Sequence, residues 1–273
     1  MLIVQIIVLA LIQGITEFLP ISSSGHLILV PALTGWPDQG VVTDMVTNLG
    51  TLLAVIVYFW RDVMAMLRGF VDTARRETTR DSRLMVNVVI GTVPIILVGL
   101  AMKALHLDEH IRSATLVAWN AIVFGVLLYI FDAFGLMKRT IADMNWKTSL
   151  IIGCAQALSL SPGTSRSGIT MTAARGLGFV RPEAARFSFL LSIPANGAAS
   201  ILIIGDALKS GETITGAVIL TGVLTFFVAL GTITILMRMV RHMSFLPFAV
   251  YRVLLGAVLL GLIYSGMPLG AVN

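Results

Sequence analysis

A cluster of polar side chains interrupts the first apolar stretch of the chain. The segment QGITEFLPISSSGH, residues 13–26, follows twelve residues that include a single polar side chain. Its carboxylate, Glu17, lies between apolar stretches, and a carboxylate near the middle of a membrane costs roughly 2.5–3.5 kcal/mol. Gln13 lies four residues earlier, on the same face of a helix. We interpret the two side chains as a functional pair facing a cavity, in preference to a glutamate that reaches water at a helix end.

Turn-forming residues follow Glu17. Pro20 ends the first half-helix, and Gly25 frees the backbone. Three serines lie between them: Ser22, Ser23 and Ser24. They can cap the next half-helix, and its unsatisfied N–H groups can also bind an anion, so both interpretations stay open. His26 lies within ten residues of Glu17, and we interpret it as a chemical group that acts at the same site.

A second polar segment, SLSPGTSRSGIT at 159–170, contains a single basic side chain. Arg166 is the only basic residue between Lys147 and Arg175, and a guanidinium group pairs well with phosphate oxygens. Hydroxyl and glycine residues surround it: Gly163, Thr164, Ser165, Ser167, Gly168 and Thr170. Hydroxyls can bind a phosphorylated ligand, and glycines let the backbone approach it closely. The segment is therefore a candidate phosphate-binding site.

The two polar segments form one catalytic site if they meet. Glu17 then supplies a general base or a metal ligand, and Arg166 binds the charge that develops on phosphorus. Ser23 or His26 supplies the nucleophile, and the sequence leaves this choice open. The alternative is an ion pair of Arg166 and Glu17 that only holds the segments together. The many hydroxyls and glycines around Arg166 favour the catalytic interpretation.

The composition indicates a polytopic membrane protein. The chain has 273 residues, a mean hydropathy of +0.93 and 12% charged residues, against about 25% charged in soluble domains. One cysteine, Cys154, excludes an internal disulfide and a Cys-rich metal site. The net charge of +5 does not indicate a nucleic-acid partner, because the basic residues lie in short connections between apolar segments.

Hydropathy predicts an all-α fold with six transmembrane helices and two re-entrant helical hairpins. A span needs about 17–25 apolar residues. Six segments meet that need: 43–60, 85–102, 114–134, 184–205, 214–237 and 246–265. Regions 1–34 and 148–180 are apolar but broken by Pro, Ser and Gly, so each half is too short to span. Such hairpins are allowed at membrane depth where protein or a watery cavity surrounds them.

Basic residues predict the orientation. Fourteen of the 19 Lys and Arg residues fall in four connections, which we assign to the cytoplasm: 61–83, 135–147, 175–186 and 238–245. The opposite connections hold three: Lys103, Arg112 and Lys209. The first hairpin then enters from outside and the second from inside, and three spans follow each. We therefore expect one membrane domain built as an inverted repeat of about 1–134 and 148–265, with a cytoplasmic linker at 135–147.

A constant offset supports the repeat. When each position is compared with the position 143 residues later, four pairs are identical: Gln13 and Gln156, Ser22 and Ser165, Ser24 and Ser167, and Gly25 and Gly168. All four fall in the two broken regions, where an inverted repeat requires similarity.

The motifs resemble those of undecaprenyl-diphosphate phosphatases, the bacitracin-resistance family. Residues 13–26 are similar to that family's (Glu/Gln)-x-x-x-Glu signature followed by Pro-x-Ser-Ser-(Ser/Thr)-Gly-His. PGTSRSGIT at 162–170 resembles its Pro-Gly-x-Ser-Arg-Ser-x-x-Thr. The resemblance covers nearly the whole chain, including NLGTLLAVIVYFWR at 48–61 and SFLPFAVYR at 244–252.

The resemblance implies a function and a location. It implies hydrolysis of the C55 isoprenoid diphosphate to the monophosphate, which recycles the lipid carrier of peptidoglycan synthesis. It also implies the bacterial inner membrane, a site facing the periplasm, a divalent cation such as Mg²⁺ or Ca²⁺, and a possible homodimer. Glu17 would be the base or the metal ligand. Because position 13 is Gln, a metal would have one fewer anionic ligand.

Two other functions were weighed. The chain also echoes the acid phosphatase pattern, but Thr172 and Gly176 stand where that pattern has its His and Asp, so its histidine mechanism does not transfer. A lipid-phosphate flippase or transporter remains the alternative, because inverted repeats with broken helices are typical of transporters. Release of phosphate from a prenyl diphosphate distinguishes the two functions.

Overall fold

The structure is a computed structural model that describes residues 3–36, 40–106, 113–210 and 215–265, without the side chains of 24, 28–29, 31–33 and 202–210. Within these ranges eleven α-helices form: α1 Ile3–Thr16, α2 Ser23–Thr34, α3 Val41–Tyr58, α4 Trp60–Ala74, α5 Arg80–Ala104, α6 Ala114–Phe134, α7 Trp146–Ala157, α8 Arg166–Gly176, α9 Arg181–Ser210, α10 Gly216–Met239 and α11 Leu246–Tyr264. The described residues contain no β-strand, so the expected all-α fold is confirmed.

Among the described residues, five helices are long and apolar enough to cross a membrane: α3, α5, α6, α10 and α11. They match five of the six expected spans, and the chain is a multi-pass membrane protein. The remaining expected span, 184–205, falls within α9, which is not among these five. The side chains of its residues 202–210, which include the apolar end of this expected span, are outside the described residues. The six-span arrangement therefore stays a prediction.

Both broken regions consist of two short helices joined by a turn. The helices α1 and α2 flank a turn at residues 17–22, and α7 and α8 flank residues 158–165, which include a 3₁₀ turn at Leu158–Leu160. A serine with positive φ ends each turn, Ser22 at 75° and Ser165 at 68°. A non-glycine residue in this region is strained and marks a turn that the surrounding structure enforces.

The connection at 61–83 contains a helix that the sequence reasoning missed. We expected a loop there because of its six arginines, but Trp60–Ala74 forms α4. Its apolar residues recur at helical spacing, and Ala65 and Gly69 are buried on one face. This spacing is the signal that could have predicted the helix.

Small residues allow the helices to cross closely. A Cβ on Gly50 of α3 would lie 2.4 Å from the carbonyl oxygen of Gly222 in α10, and a Cβ on Gly153 of α7 would lie 2.4 Å from that of Gly91 in α5. Such contacts are how membrane helices associate, because lipid offers no hydrophobic drive between them. Other helices also pack in pairs, α1 with α10, α3 with α9, and α6 with α11.

A buried ion network ties the ends of α6, α8 and α9 together. Asp132, which is 2% exposed, accepts hydrogen bonds from Nε of Arg175 and Nε of Arg181, each at 2.8 Å, and from the backbone N–H of Phe245. Arg175 is fully buried and also donates to carbonyl oxygens, among them that of Phe179. Losing one partner would leave a buried charge uncompensated. This network anchors α8, whose first residue is Arg166.

Candidate active site

Glu17 lies immediately after α1, at the start of the first hairpin turn. Its backbone N–H donates to the carbonyl oxygen of Gln13 at 3.1 Å, which extends the helical path by one residue. The next residue, Phe18, is fully buried and packs edge-on against Phe189 of α9, with ring centroids 5.3 Å apart. The Phe18 ring therefore fixes the turn against α9 and holds the neighbouring carboxylate in place.

Both carboxylate oxygens of Glu17 accept hydrogen bonds. Oε2 accepts from the hydroxyl of Ser23 at 2.8 Å and from Nε2 of Gln13 at 3.2 Å. Oε1 accepts from Nη2 of Arg166 at 2.8 Å and from Nδ2 of Asn196 at 3.4 Å. The structure thus brings the two hairpins together at this carboxylate, as the sequence predicted. Its side chain is 10% exposed.

The contact between Arg166 and Glu17 is more than a closed ion pair. Nη1 of Arg166 is buried and has no hydrogen-bond partner within the described part of the chain, and the same holds for Oε1 of Gln13. A buried guanidinium N–H without a partner is costly and marks a group that awaits a ligand. One edge of Arg166 therefore fixes Glu17, and the other remains available to an anion.

The hydroxyls around Arg166 mainly shape the second hairpin. Oγ of Ser165 caps α8 by accepting the N–H of Gly168 at 3.1 Å. Ser167 donates to the carbonyl oxygens of Glu17 and Leu19 in the first hairpin, at 3.3 and 3.1 Å. Thr170 lies within hydrogen-bond distance of Ser188, at 2.6 Å between the two hydroxyl oxygens. Ser167 therefore links the two hairpins, whereas Ser165 caps α8 and Thr170 ties α8 to α9.

Gly163 and Thr164 form the tip of the second hairpin. Gly163 has φ of 87°, and a Cβ there would lie 2.5 Å from the carbonyl oxygen of Val117, so both the conformation and the space require glycine. Thr164 is fully buried, and its Oγ1 has no partner among the described residues. The sequence suggested that glycine here lets the backbone approach a ligand, but the close neighbour at Gly163 in this structure is the backbone of α6.

Arg252 of α11 joins the tips of both hairpins. It is fully buried, and Nη2 donates to the carbonyl oxygens of Gly163 and Thr164 at 3.0 and 2.8 Å, while Nη1 donates to that of Pro20 at 3.4 Å. It forms no salt bridge with the part of the chain that the structure describes. A charge that is held by carbonyl dipoles alone fixes the distance between the two turns.

His26 does not contact Glu17 within the described hydrogen bonds. Its Nδ1 lies 2.7 Å from the carbonyl oxygen of Ser22, and its Nε2 lies 2.6 Å from the hydroxyl of Tyr251. The carbonyl can only accept, so Nδ1 carries the proton, and in the neutral ring Nε2 accepts from the tyrosine. Both ring nitrogens are therefore engaged, whereas the hydroxyl of Ser23 already donates to the carboxylate.

The structure says less about the other two serines of the first turn. Ser22 is buried and carries the strained φ described above. Ser24 lies in the first turn of α2, but its side chain is outside the described residues.

Four residues near the site escaped the sequence reasoning as site residues: Asn48, Asn196, Tyr251 and Arg252. Asn48 accepts a hydrogen bond from Gln13 Nε2 at 2.9 Å, and Asn196 reaches Glu17 from α9. Both asparagines lie within expected spans, where a polar amide is unusual in hydrocarbon. Their position in apolar helices was the signal that could have identified them.

The oxygen atoms around Glu17 can take part in binding a hard cation. Within the described residues no group of three or more His, Cys, Asp or Glu side chains could hold a metal alone. Glu17 and the unpaired amide oxygen of Gln13 nevertheless form a set of hard oxygen donors. Mg²⁺ is often bound by one or two carboxylates together with substrate phosphates. Glu17 and Gln13 are the residues that would supply such oxygen ligands at this site.

This arrangement can activate a hydroxyl next to an anion-binding group. A carboxylate that accepts the Ser23 hydroxyl at 2.8 Å is placed to remove its proton. The free edge of Arg166 can bind a phosphate oxygen. The chemistry supported is nucleophilic displacement at phosphorus.

Known proteins resemble this chain over nearly its whole length. Residues 6–258 match the sequence model of the family described as bacitracin resistance protein BacA. Undecaprenyl-diphosphatase of Erythrobacter litoralis is 45% identical, with 94% of this chain and 98% of that protein covered. Undecaprenyl-diphosphatase of Ruegeria pomeroyi is 44% identical, with 96% and 98% covered. Undecaprenyl-diphosphatase 2 of Stutzerimonas stutzeri is 46% identical, with 97% and 99% covered. This chain therefore belongs to the bacitracin resistance protein BacA family.

Proposed function

We propose that this protein is an undecaprenyl-diphosphate phosphatase, which hydrolyses the C55 isoprenoid diphosphate to the monophosphate and phosphate. The observation that carries the proposal is the hydrogen bond of the Ser23 hydroxyl to Glu17, next to the free edge of Arg166. The relatives described above carry the same activity in their names. Recycling of the lipid carrier, cell-wall synthesis and bacitracin resistance follow from this activity.

Ser23 is the proposed nucleophile. Glu17 accepts the proton from the Ser23 hydroxyl as the oxygen attacks the terminal phosphorus in line with the bond to the leaving lipid monophosphate. The P–O bond to that monophosphate breaks, and a phosphoserine remains. Glu17 passes this proton to the departing lipid monophosphate, takes a proton from the water that attacks the phosphoserine, and returns it to the Ser23 oxygen as the P–O bond to serine breaks and phosphate leaves. Arg166 binds the non-bridging oxygens in both steps.

His26 has a supporting role in this proposal. Its Nδ1–H donates to the carbonyl oxygen of Ser22, the residue before the nucleophile. Tyr251 holds the other ring nitrogen. The pair thereby orients the strained turn from which Ser23 extends.

A divalent cation such as Mg²⁺ or Ca²⁺ is a proposed cofactor. Glu17 and Gln13 would hold it together with the diphosphate, and it would neutralise negative charge on the phosphate oxygens. Activity measured with a chelator, and after return of each cation, tests this part separately. Unchanged turnover in excess chelator would contradict it.

The proposed topology has six spans and two re-entrant hairpins in an inverted repeat, with α9 as the sixth span. Its support is the offset of 143, at which the positive-φ serines 22 and 165 coincide. In such a repeat α1, α3 and α5 correspond to α7, α9 and α10. The contacts agree with this correspondence, because α1 packs on α10 as α7 packs on α5, and α3 packs on α10 as α9 packs on α5. The basic connections favour an orientation in which the first hairpin enters from outside, and the family relationship supports an inner-membrane location with the site facing the periplasm.

The experiment that tests the activity uses purified protein and a prenyl diphosphate. Arg166→Ala and Glu17→Ala are each expected to abolish phosphate release while the protein still elutes as a single folded species. Full activity in either variant would contradict the assignment. A homodimer also remains a proposal, and the mass of the protein in detergent tests it.

The inverted repeat also keeps a lipid-phosphate flippase as the second candidate function. Transport of a labelled prenyl phosphate across vesicles without phosphate release would favour it. Phosphate release by the purified protein in detergent, where no transport is possible, would favour the phosphatase.

A further inference from the structure

The helix α4 lies between two helices that can each cross the membrane. The helix α3 ends at Tyr58 and α4 begins at Trp60, whereas α5 begins at Arg80. With 15 residues, including Arg61, Asp62, Arg68 and Asp72, α4 is too short and too charged to span. Because both of its ends connect to spans, α4 lies at one surface of the membrane. The basic connections place that surface on the cytoplasmic side.

The face of α4 that points away from the protein is apolar. Five large side chains on it are between 45% and 68% exposed: Trp60, Met64, Leu67, Phe70 and Val71. Trp60, Met64, Leu67 and Val71 are spaced by four, three and four residues, so they form one stripe. The opposite face packs on α5, since a Cβ on Gly69 would lie 2.3 Å from the carbonyl oxygen of Asp81. Water alone would not accommodate such an exposed apolar stripe.

Three arginines border the apolar stripe. Arg61, Arg68 and Arg75 are spaced seven residues apart, which aligns them along one edge of the helix. Arg68 pairs with Asp81 but keeps 64% of its side chain exposed. Arg61 lies over the ring of Trp60, with 5.5 Å from its guanidinium carbon to the ring centroid. Tryptophan and arginine of this kind are typical of the headgroup region of a bilayer.

We propose that the outer face of α4 is a binding surface for anionic phospholipid in the cytoplasmic leaflet. The stripe inserts among the upper acyl carbons, and the row of three arginines binds lipid phosphate groups. An apolar face beside a basic edge is the pattern of helices that lie in an anionic membrane surface. This inference does not depend on the phosphatase activity, because none of these residues touches Glu17, Ser23 or Arg166.

The test uses the fluorescence of Trp60 in reconstituted protein. The other three tryptophans are replaced by phenylalanine: Trp36→Phe, Trp119→Phe and Trp146→Phe. Two sets of vesicles are made from phosphatidylcholine and phosphatidylglycerol. In one set the phosphatidylcholine is brominated and in the other the phosphatidylglycerol, and bromine quenches the fluorescence of a tryptophan that it contacts. We expect Trp60 to be quenched, and to be quenched more strongly by brominated phosphatidylglycerol at equal mole fraction.

Neutralising the three arginines tests whether they produce the preference for anionic lipid. In R61Q/R68Q/R75Q we expect the preference for phosphatidylglycerol to fall about fivefold or more, the effect of at least one surface cation. The matched control removes three exposed basic residues from the same side, K138Q/R238Q/R241Q, and should keep the preference. Both variants should retain phosphate release, which shows that they are folded.

Three results would overturn the proposal. If both brominated lipids quench Trp60 equally while the three arginines are intact, the surface has no preference for anionic lipid. Absence of quenching would show that α4 does not contact lipid. Cross-linking of Leu67→Cys between two copies, in a Cys154→Ala background in the same vesicles, would show that a second copy covers the stripe.

Discussion

The hairpin of α1 and α2 and the hairpin of α7 and α8 can be compared residue by residue at the offset of 143. Each turn ends in a serine with positive φ, Ser22 or Ser165, and in each the next half-helix begins one residue later. That first residue is Ser23 in one hairpin and Arg166 in the other. The backbones of the two turns are thus alike, while the side chains at equivalent positions differ in kind.

The remaining differences follow the same division. Glu17 corresponds to Leu160, and His26 corresponds to Ile169. The first hairpin therefore holds the carboxylate, the hydroxyl and the imidazole, whereas the second holds the cation. A repeated backbone allows two unlike groups to approach from opposite directions, which is what attack on a phosphate and binding of its oxygens require. Two halves of similar backbone therefore carry different chemical groups, so symmetry of the fold does not impose symmetry of function.

Replacing the first residue of α2 gives the largest expected effect. Ser23→Ala should lower kcat at least about 10³-fold, because the proposed nucleophile is lost. His26→Ala should lower it less. Trapping of the phosphorylated protein with labelled substrate checks the assignment. An acid-stable phosphoserine that is absent in Ser23→Ala supports it, and an acid-labile phosphohistidine in the unaltered protein would contradict it.

The equivalent residue of the second hairpin gives the next largest effect. Arg166→Lys keeps the charge but loses the guanidinium fork that binds Glu17 on one side and, as proposed, phosphate on the other. We expect kcat/KM to fall about 10²-fold. Steady-state phosphate release measures the change. Activity within twofold of the unaltered protein would show that a positive charge is sufficient and that bidentate binding is not used.

The two glutamines at equivalent positions separate site from scaffold. Gln13 donates to Glu17 and Asn48, whereas Gln156 donates to the carbonyl oxygen of Gly91 at 3.2 Å. Gln13→Ala should lower kcat/KM about tenfold, since hydrogen bonds to a charged group are worth about 1.5–3 kcal/mol. Gln156→Ala should leave kcat unchanged and lower the Tm. Equal loss of activity in both variants would refute this distinction.

Tyr251→Phe gives the smallest expected effect. It removes the hydroxyl that donates to His26, and a lost neutral hydrogen bond of about 1 kcal/mol predicts a fall of about fivefold in kcat with little change in KM. If the tyrosine acts through His26, the substitution should have no further effect in a His26→Ala background. Additive losses in the double variant would mean that the two side chains act independently.

Several features of this fold were predictable from local sequence. Five spans follow from hydropathy, because a helix in lipid needs a continuous apolar run. Both hairpin breaks follow from Pro, Gly and Ser, which end one helix and cap another. Glu17 and Arg166 stood out because charged side chains are rare at membrane depth. The helix α4 was also readable from its periodic apolar stripe, and the density of arginines concealed it.

Only the tertiary structure shows which remote segments lie close together. Asn48, Asn196 and Arg252 reach the site or its turns from α3, α9 and α11, and nothing in their local sequence states which helix faces which. The choice between Ser23 and His26 is of the same kind: the two lie three residues apart, yet one donates to Glu17 and the other to Ser22. Hydrophobic periodicity sets which residues form helices. The close crossing of those helices sets which polar atoms meet, because each buried polar group takes the partner that packing brings within reach.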